Sequence, residues 1–529
     1  MKKKLFSLLL IAVMVLSSFS AVFADGETTT ITIDANGSSA TMSDHTFKAY
    51  QIFTGQMGDD KTLGNVEWAS GINSSAFLTA LKNDATIGSK FAACTDAASV
   101  AKVIAENLNT AELEKVAQIA TRNVAGNGIT LVNGANELTL ADGYYVVVDA
   151  TANVGENGVY NPGVLVKSGD AVTIKVKTDK PSSDKGVKDK NDSTDDDYTA
   201  YQDSADHDIG DKVPYQIVAT VPAGTGAAKY QAPYIITFKD TMSKGLTYDG
   251  NAANAYTVKV LKNGTEVANS GLTVTYANPT PNPALTGEYE GGSYHTWTTS
   301  DLRTVITDDT AEYKIVIEYE ATLNTDAKIG AAGNPNKFNI DYTNKPDHVG
   351  DGAPTGETPE DTCIVFTYKV VVDKVDESDK PLPNAGFTLY KKAKDGSWNE
   401  VEKIDASANT SFTFKGLDDG EYKLSETATP AGYNTMEDIT FTITASHPGL
   451  VLPELNGAQS GLADGAAAAL TFTRDTNDED SLDTKVVNRK GSVLPETGGM
   501  GTTIIYILGA ALVVGAGVVL VSRKKVNDR

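Results

Sequence analysis

Cysteine is nearly missing from this chain: two in 529 residues, Cys94 and Cys363, far apart in sequence. A disulfide framework, the usual reinforcement of exported proteins, is therefore not expected. Histidine is also scarce. The five residues His45, His207, His295, His348 and His447 are scattered without metal-ligand spacing. Basic residues are outnumbered 45 to 69, giving a formal net charge of −24, and they cluster only at the two termini. That balance excludes nucleic acid as a partner. No zinc-protease, nucleophile-elbow or phosphate-loop pattern occurs, so an enzyme, a cofactor and a metal site are all left without supporting residues. The run Asp189-Lys190-Asn191-Asp192-Ser193-Thr194-Asp195 imitates the start of a calcium loop. It has Thr194 where the loop needs glycine and Ala200 where it needs a glutamate, so it reads as a solvated acidic loop.

Long apolar runs are confined to the ends. Lys2, Lys3 and Lys4 precede an apolar core from Leu5 to Leu16 and small residues up to Ala24, which reads as a secretory signal peptide over residues 1–24. At the other end stands Leu494-Pro495-Glu496-Thr497-Gly498. An uncharged stretch from Ile504 to Val521 follows, and then Arg523-Lys524-Lys525. The stretch has the length of a bilayer-spanning helix, roughly 18–20 residues, and the basic stop marks a cytoplasmic end. Pro495 keeps Leu494 out of helical geometry, so the pentapeptide can lie extended in a groove. This order resembles the cell-wall sorting signal of Gram-positive surface proteins. The resemblance implies a sortase that cuts between Thr497 and Gly498 and passes the Thr497 carbonyl to an amine.

Between the ends the pattern is mostly β. Thr28–Ile33 and His45–Phe53 read as strands. Ser74–Val124 has helical spacing (Val100, Val103, Ile104, Leu108), with breaks near Thr86–Gly88 and Asn109–Thr110. Strands return at Gly143–Val148 and Ala171–Val176. Strand-rich blocks with regular turn signals follow, separated by linkers at 179–183 and 346–360. The expected fold is mainly β: tandem Ig-like β-sandwich domains in a rod, the first with a helical insertion. The divisions are 25–181, 182–362 and 363–490, followed by the tail 491–529.

The third block carries Val371-Val372-Asp373-Lys374, Glu426-Thr427-Ala428-Thr429-Pro430-Ala431-Gly432-Tyr433 and Val486-Val487-Asn488. It resembles the Cna B-type domain of Gram-positive pilins and adhesins. The resemblance implies an isopeptide bond from the Lys374 amine to Asn488, promoted by Glu426. The residue types suit that chemistry. Burial makes a lysine amine neutral and nucleophilic, and a buried carboxyl can hold a proton for a poor electrophile. Holding the groups in contact is worth on the order of 7–11 kcal/mol of barrier.

The second block has Pro181-Ser182-Ser183-Asp184-Lys185, Lys239-Asp240-Thr241-Met242 and Asp341-Tyr342-Thr343-Asn344. It resembles the D2-type domain of backbone pilins, which implies Lys185 bonded to Asn344 with Asp240 catalysing. Lys188 competes with Lys185. The first block is similar to the N-terminal domain of the same proteins through Phe47–Phe53 and Gly143-Tyr144-Tyr145. The family's Tyr-Pro-Lys polymerisation motif is absent. Lys180, at the domain junction, is the nearest candidate, with Lys175 and Lys177 behind it.

The resemblance covers nearly the whole chain and implies a sortase-assembled backbone pilin. Such a shaft subunit is cross-linked to neighbouring subunits, anchored to peptidoglycan at the cell surface, and able to support adhesion to a host ligand. The alternative is a wall-anchored monomeric adhesin or basal pilin.

Overall fold

The computed structural model describes residues 27–34, 45–58, 61–132, 134–152, 160–175, 180–195, 197–279, 284–446, 454–460, 471–475, 481–491, 507–514 and 516. The leader, the sorting pentapeptide Leu494–Gly498 and half of the apolar stretch lie outside them. Residues 507–514 are helical, and among the described residues no helix is long and apolar enough to cross a membrane.

The chain forms three successive β blocks. In the first, one sheet orders Gly134–Leu140, Glu27–Asp34 and Ala171–Lys175. A second orders Leu63–Trp68, Phe47–Met57, Gly143–Asp149 and Val164–Lys167. Four helices cover the second sheet: α1 (Ser74–Asn83), α2 (Gly88–Phe91), α3 (Ala97–Glu106) and α4 (Thr110–Thr121). Their breaks are chemical. Asp96 with Ser99, and Asn109 with Glu112, form capping boxes that start α3 and α4. The unbroken apolar run Tyr144–Val148 is buried on both faces. Tyr144, Val146 and Val148 meet the helices, while Tyr145 and Val147 meet the other sheet.

The second block is a sandwich. One sheet orders Thr265–Glu266, Tyr256–Lys262, Tyr313–Leu323, Lys212–Val221 and Ser182–Val187. The other orders Ser204–Asp206, Asp361–Phe366, Asn334–Thr343, Ile236–Met242, Ser293–Thr299 and Val274–Ala277. The 346–360 segment, expected as an interdomain linker, instead contributes Thr355–Glu357 to this sheet, and Asp361–Phe366 then completes it. The hydrophobic run Cys363–Phe366 needs a sheet to cover it, which is why the block continues past residue 362. The third block faces Ser411–Leu417, Tyr368–Asp376, Ser481–Asn488 and Thr473–Asp475 against Trp398–Ile404, Gly386–Lys392, Gly420–Ala428, Ile439–Ser446 and Glu454–Ser460. Cys94 and Cys363 are buried in separate blocks and unpaired.

Only Thr367 separates the last strand of the second block from the first strand of the third. The junction is tied across. Ile209 N donates to Gly416 O across it (3.0 Å). A Cβ at Gly416 would sit 2.6 Å from Ile209, and its φ of +79° also favours glycine. The acidic 189–195 run is not a solvated loop. Ser193 Oγ donates to Lys392 O (2.9 Å) and accepts from Glu421 N (2.8 Å). At the centre the Lys391 amine is bonded to Asp418 and lies 2.7 Å from Asp208 and 3.4 Å from Asp192. Burial raises both the Asp418 and the Asp208 carboxyls. Burial opposes the Lys391 charge as well, but Asp418 and Asp208 outweigh it and hold the amine protonated.

Replacing Lys391 by Met strands buried carboxylates and is expected to cost about 3–5 kcal/mol near neutral pH. A carboxyl whose pKa is raised by folding loses stability as pH rises above its unfolded value, so the deficit should shrink on acidification. Urea unfolding of K391M and the parent at pH 5 and pH 7.5 checks this; equal deficits at both would contradict it.

Candidate functional site

In the third block three apolar stripes each end in a polar residue. Strand alternation points Val370, Val372 and Lys374 inward from one strand. It does the same for Leu482, Thr484, Val486 and Asn488 on its parallel neighbour, and for Tyr422, Leu424 and Glu426 on the facing sheet. Parallel register sets Lys374 against Val486, and Asp376 against Asn488. Lys374, Asn488 and Glu426 are 0%, 1% and 8% exposed. Asn488 Nδ2 donates to Glu426 Oε1 at 2.7 Å. The other carboxylate oxygen accepts from Met436 N (2.8 Å), across the turn that Pro430 and Gly432 form. Among the described residues the Lys374 amine has only backbone acceptors, Val486 O (3.2 Å) and Val375 O (3.3 Å). Burial pushes its pKa down to about 8, and the Glu426 charge opposes the shift. Asn488 Oδ1 is buried with no hydrogen-bond partner among the described residues. The arrangement is an amine close to neutrality, a carboxamide, and a carboxyl group touching that carboxamide.

The second block repeats the theme with different parts. Lys185 faces inward at the sheet edge, fully enclosed by the rings of Tyr215, Tyr319 and Phe338. Its Nζ lies 2.8 Å from Asp240 Oδ1, in the inward stripe Ile236-Phe238-Asp240-Met242. The asparagine brought here is Asn336, not the expected Asn344. Asp240 stands opposite Phe338 in the ladder, so the inward residue two positions back, Asn336, shares its face. Asn336 is 0% exposed. Its Nδ2 donates to Tyr319 Oη (3.0 Å), and its Oδ1 has no partner among the described residues.

Asn344 lies beyond the strand end. Its N donates to Pro354 O, and its O accepts from Tyr160 N of the first block. It has the inward parity but not the register, and register between distant strands is not written in either strand alone. Tyr319 was missed for the same reason. Lys188, the competitor, points elsewhere, its amine over the Tyr201 ring.

In the first block, Asp149 accepts from Asn161 Nδ2 (3.2 Å) and also bonds His45 (2.7 Å). Lys180 is half-buried just before the Ser182–Val187 strand and Lys175 is exposed, while Lys177 lies outside the described residues.

Comparison with known proteins matches three stretches of the chain to family models. Residues 209–346 match the Gram-positive pilin backbone subunit 2, Cna-B-like domain. Residues 368–452 match the SpaA prealbumin-like fold domain, and residues 487–528 the LPXTG cell wall anchor motif. The chain thus carries, in order, stretches similar to a Gram-positive pilin backbone domain, a prealbumin-like fold domain and a cell-wall anchor motif. A curated relative is the trypsin-resistant surface T6 protein of Streptococcus pyogenes serotype M6. It is 24% identical over 372 residues, 60% of this chain and 65% of the relative, so the chain matches just under two thirds of that protein. Among solved structures, the T6 backbone pilin of that organism aligns over 89% of this chain and 100% of its own (17% identity, TM-score 0.48). The full-length major pilin SpaD of Corynebacterium diphtheriae aligns over 89% and 99% (17% identity, TM-score 0.44).

A chain that cannot react at Asn488 exposes the titration of Lys374. With a folded pKa near 8 and an unfolded one near 10.4, the unfolded state binds more protons between these values, so stability rises with pH there. The N488A variant should gain about 1 kcal/mol between pH 7 and pH 9. Urea unfolding measures it; a gain of the same size in K374M/N488A would contradict the assignment to Lys374.

Proposed function

We propose that this protein is a backbone pilin, the shaft subunit of a covalently polymerised surface pilus, stapled internally by Lys374–Asn488 and Lys185–Asn336 isopeptide bonds. The observation that carries this reading is the pair of buried lysine, acid and asparagine clusters in a chain whose tail matches a cell-wall anchor motif. In each cluster the neutral amine attacks the carboxamide carbon, an amide forms, and ammonia leaves. The reaction happens once per site, so the protein modifies itself and turns nothing over. Glu426 and Asp240 move the protons.

The tail supplies the joint between subunits. A sortase cuts after Thr497 within Leu494–Gly498 and passes its carbonyl to a lysine of the next subunit, or to peptidoglycan at the base. Lys180 is the acceptor we favour, because it stands partly exposed between the first and second blocks. Export by the 1–24 leader and retention by the apolar tail until cleavage fit this route. A denaturing gel of wall extracts tests it. A ladder of covalent multimers that collapses in K180A supports the reading; a single wild-type band leaves a monomeric anchored protein.

The staples also divide the load. In the third block, a Lys374–Asn488 bond joins the first strand to the end of the last, so tension bypasses nearly everything between. In the second, Asn336 precedes the last strand, and residues 337–366 stay in the load path. Pulled from its ends, the second block should lengthen by on the order of 100 Å, the contour of about 30 residues, while the third barely extends. Single-molecule force extension checks this. No extension, or that of the whole block, would contradict it.

A further inference from the structure

Within the second block, among the described residues, no hydrogen bond joins Asp240 to Asn336; the Tyr319 hydroxyl bonds both. The hydroxyl donates to Asp240 Oδ2 at 2.5 Å and accepts from Lys185 Nζ at 3.0 Å and from Asn336 Nδ2 at 3.0 Å. One oxygen thus contacts the nucleophile, the acid and the leaving group. The third block has no counterpart among its described residues, for there Glu426 reaches Asn488 itself.

The Tyr319 ring cannot drift. It stacks on Tyr215 (centroids 5.4 Å apart, 16° between planes) and on Trp297 (5.3 Å, 29°), and Tyr248 closes a third side at 5.0 Å. The residue is 3% exposed, so bulk water does not compete for its hydroxyl. Inward alternation along Tyr313–Leu323 places it, through Ile315, Ile317 and Tyr319. Burial and the Asp240 charge hold the phenol far above its ordinary pKa, so it keeps its proton until a stronger base forms beside it.

We propose that Tyr319 is a catalytic residue of the Lys185–Asn336 bond, relaying a proton from the attacking amine to the departing ammonia. The inference rests on the isopeptide reading above and deepens it. The step balances as follows. Lys185 ammonium gives one proton to Asp240, leaving a neutral amine. The amine lone pair forms the C–N bond at Asn336 Cγ, and the carbonyl pair moves onto Oδ1. The Cγ–Nδ2 bond breaks as Nδ2 takes the Tyr319 hydroxyl proton, and the phenol oxygen takes a proton from Lys185 Nζ. The carbonyl re-forms. Ammonia accepts the proton held by Asp240 and leaves as ammonium. Lysine ammonium and carboxamide have become a secondary amide and ammonium, with Asp240 and Tyr319 restored.

The two sites then differ in a way that one chain can report. The full chain is made by cell-free synthesis with detergent present and sampled over time for intact mass and branched peptides. Wild type should lose one ammonia at each of the two sites. Y319F should form Lys374–Asn488 at the wild-type rate and Lys185–Asn336 at least ten-fold more slowly, since a positioned proton donor typically contributes ~10²–10⁴-fold. D240N and the Y319F/D240N double variant separate relay from packing. Members of one relay are non-additive, so the double variant should be no slower than D240N, whereas a packing defect would multiply the two effects. Formation of the Lys185 bond in Y319F at the wild-type rate, or multiplicative slowing in the double variant, overturns the role of Tyr319. Loss of ammonia at neither second-block residue in wild type overturns the isopeptide reading of that block, and this inference with it.

Discussion

A lysine amine sealed in an apolar core has three fates: it stays charged against a large desolvation cost, it gives up its proton, or it ceases to be an amine. The rest of this structure follows from which fate each buried lysine meets. Lys391 stays charged, because Asp418, Asp208 and Asp192 surround it, and it becomes the tie between the second and third blocks. Among the described residues Lys374 is hydrogen-bonded only to carbonyl oxygens, and burial draws it toward neutrality. Lys185 has one carboxylate, one phenol and a cage of rings. Beside the last two, and not beside the first, a buried carboxamide has an oxygen with no hydrogen-bond partner among the described residues. An unmet buried acceptor and an uncompensated amine are each expensive. Joining the two residues as an amide removes the amine and its charge.

The two clusters are built on different scaffolds. In the third block the acid comes from the facing sheet and touches the carboxamide directly. In the second, acid and carboxamide stand on adjacent strands and communicate through a tyrosine from the opposite sheet. The difference extends to mechanics. On the proposed reading one staple would close at the last strand and the other two strands short, before Thr355–Glu357 and Asp361–Phe366, so two similar bonds would shield different fractions of their blocks from tension.

Much of this was legible beforehand, and what was not has a physical reason. Lys374, Glu426 and Asn488 each sit in phase with a visible apolar stripe near the end of a strand, so local alternation already pointed them inward. The helical insertion was readable from its spacing, and Asn109 marked a break because it caps the next helix. Asn336 was hidden. Pro335 and two flanking asparagines look like a turn, and only the pairing of Asp240 with Phe338 reveals which asparagine lies beside the acid. Tyr319 was hidden in the same way, as one aromatic among many in a strand core. The 346–360 segment has a linker's composition, yet Thr355–Glu357 adds to a sheet whose need for another strand is set by distant residues. The acidic 189–195 run looked solvated because its contacts belong to the third block.

The central claim is that Lys185 and Lys374 become amides. High-resolution mass spectrometry of trypsin-digested native protein tests it most directly. The account predicts two branched peptides, one joining Lys374 to Asn488 and one joining Lys185 to Asn336, each lighter by one ammonia than its unlinked parts. Linear peptides carrying free Lys185 and Lys374, at full unmodified mass, would contradict it.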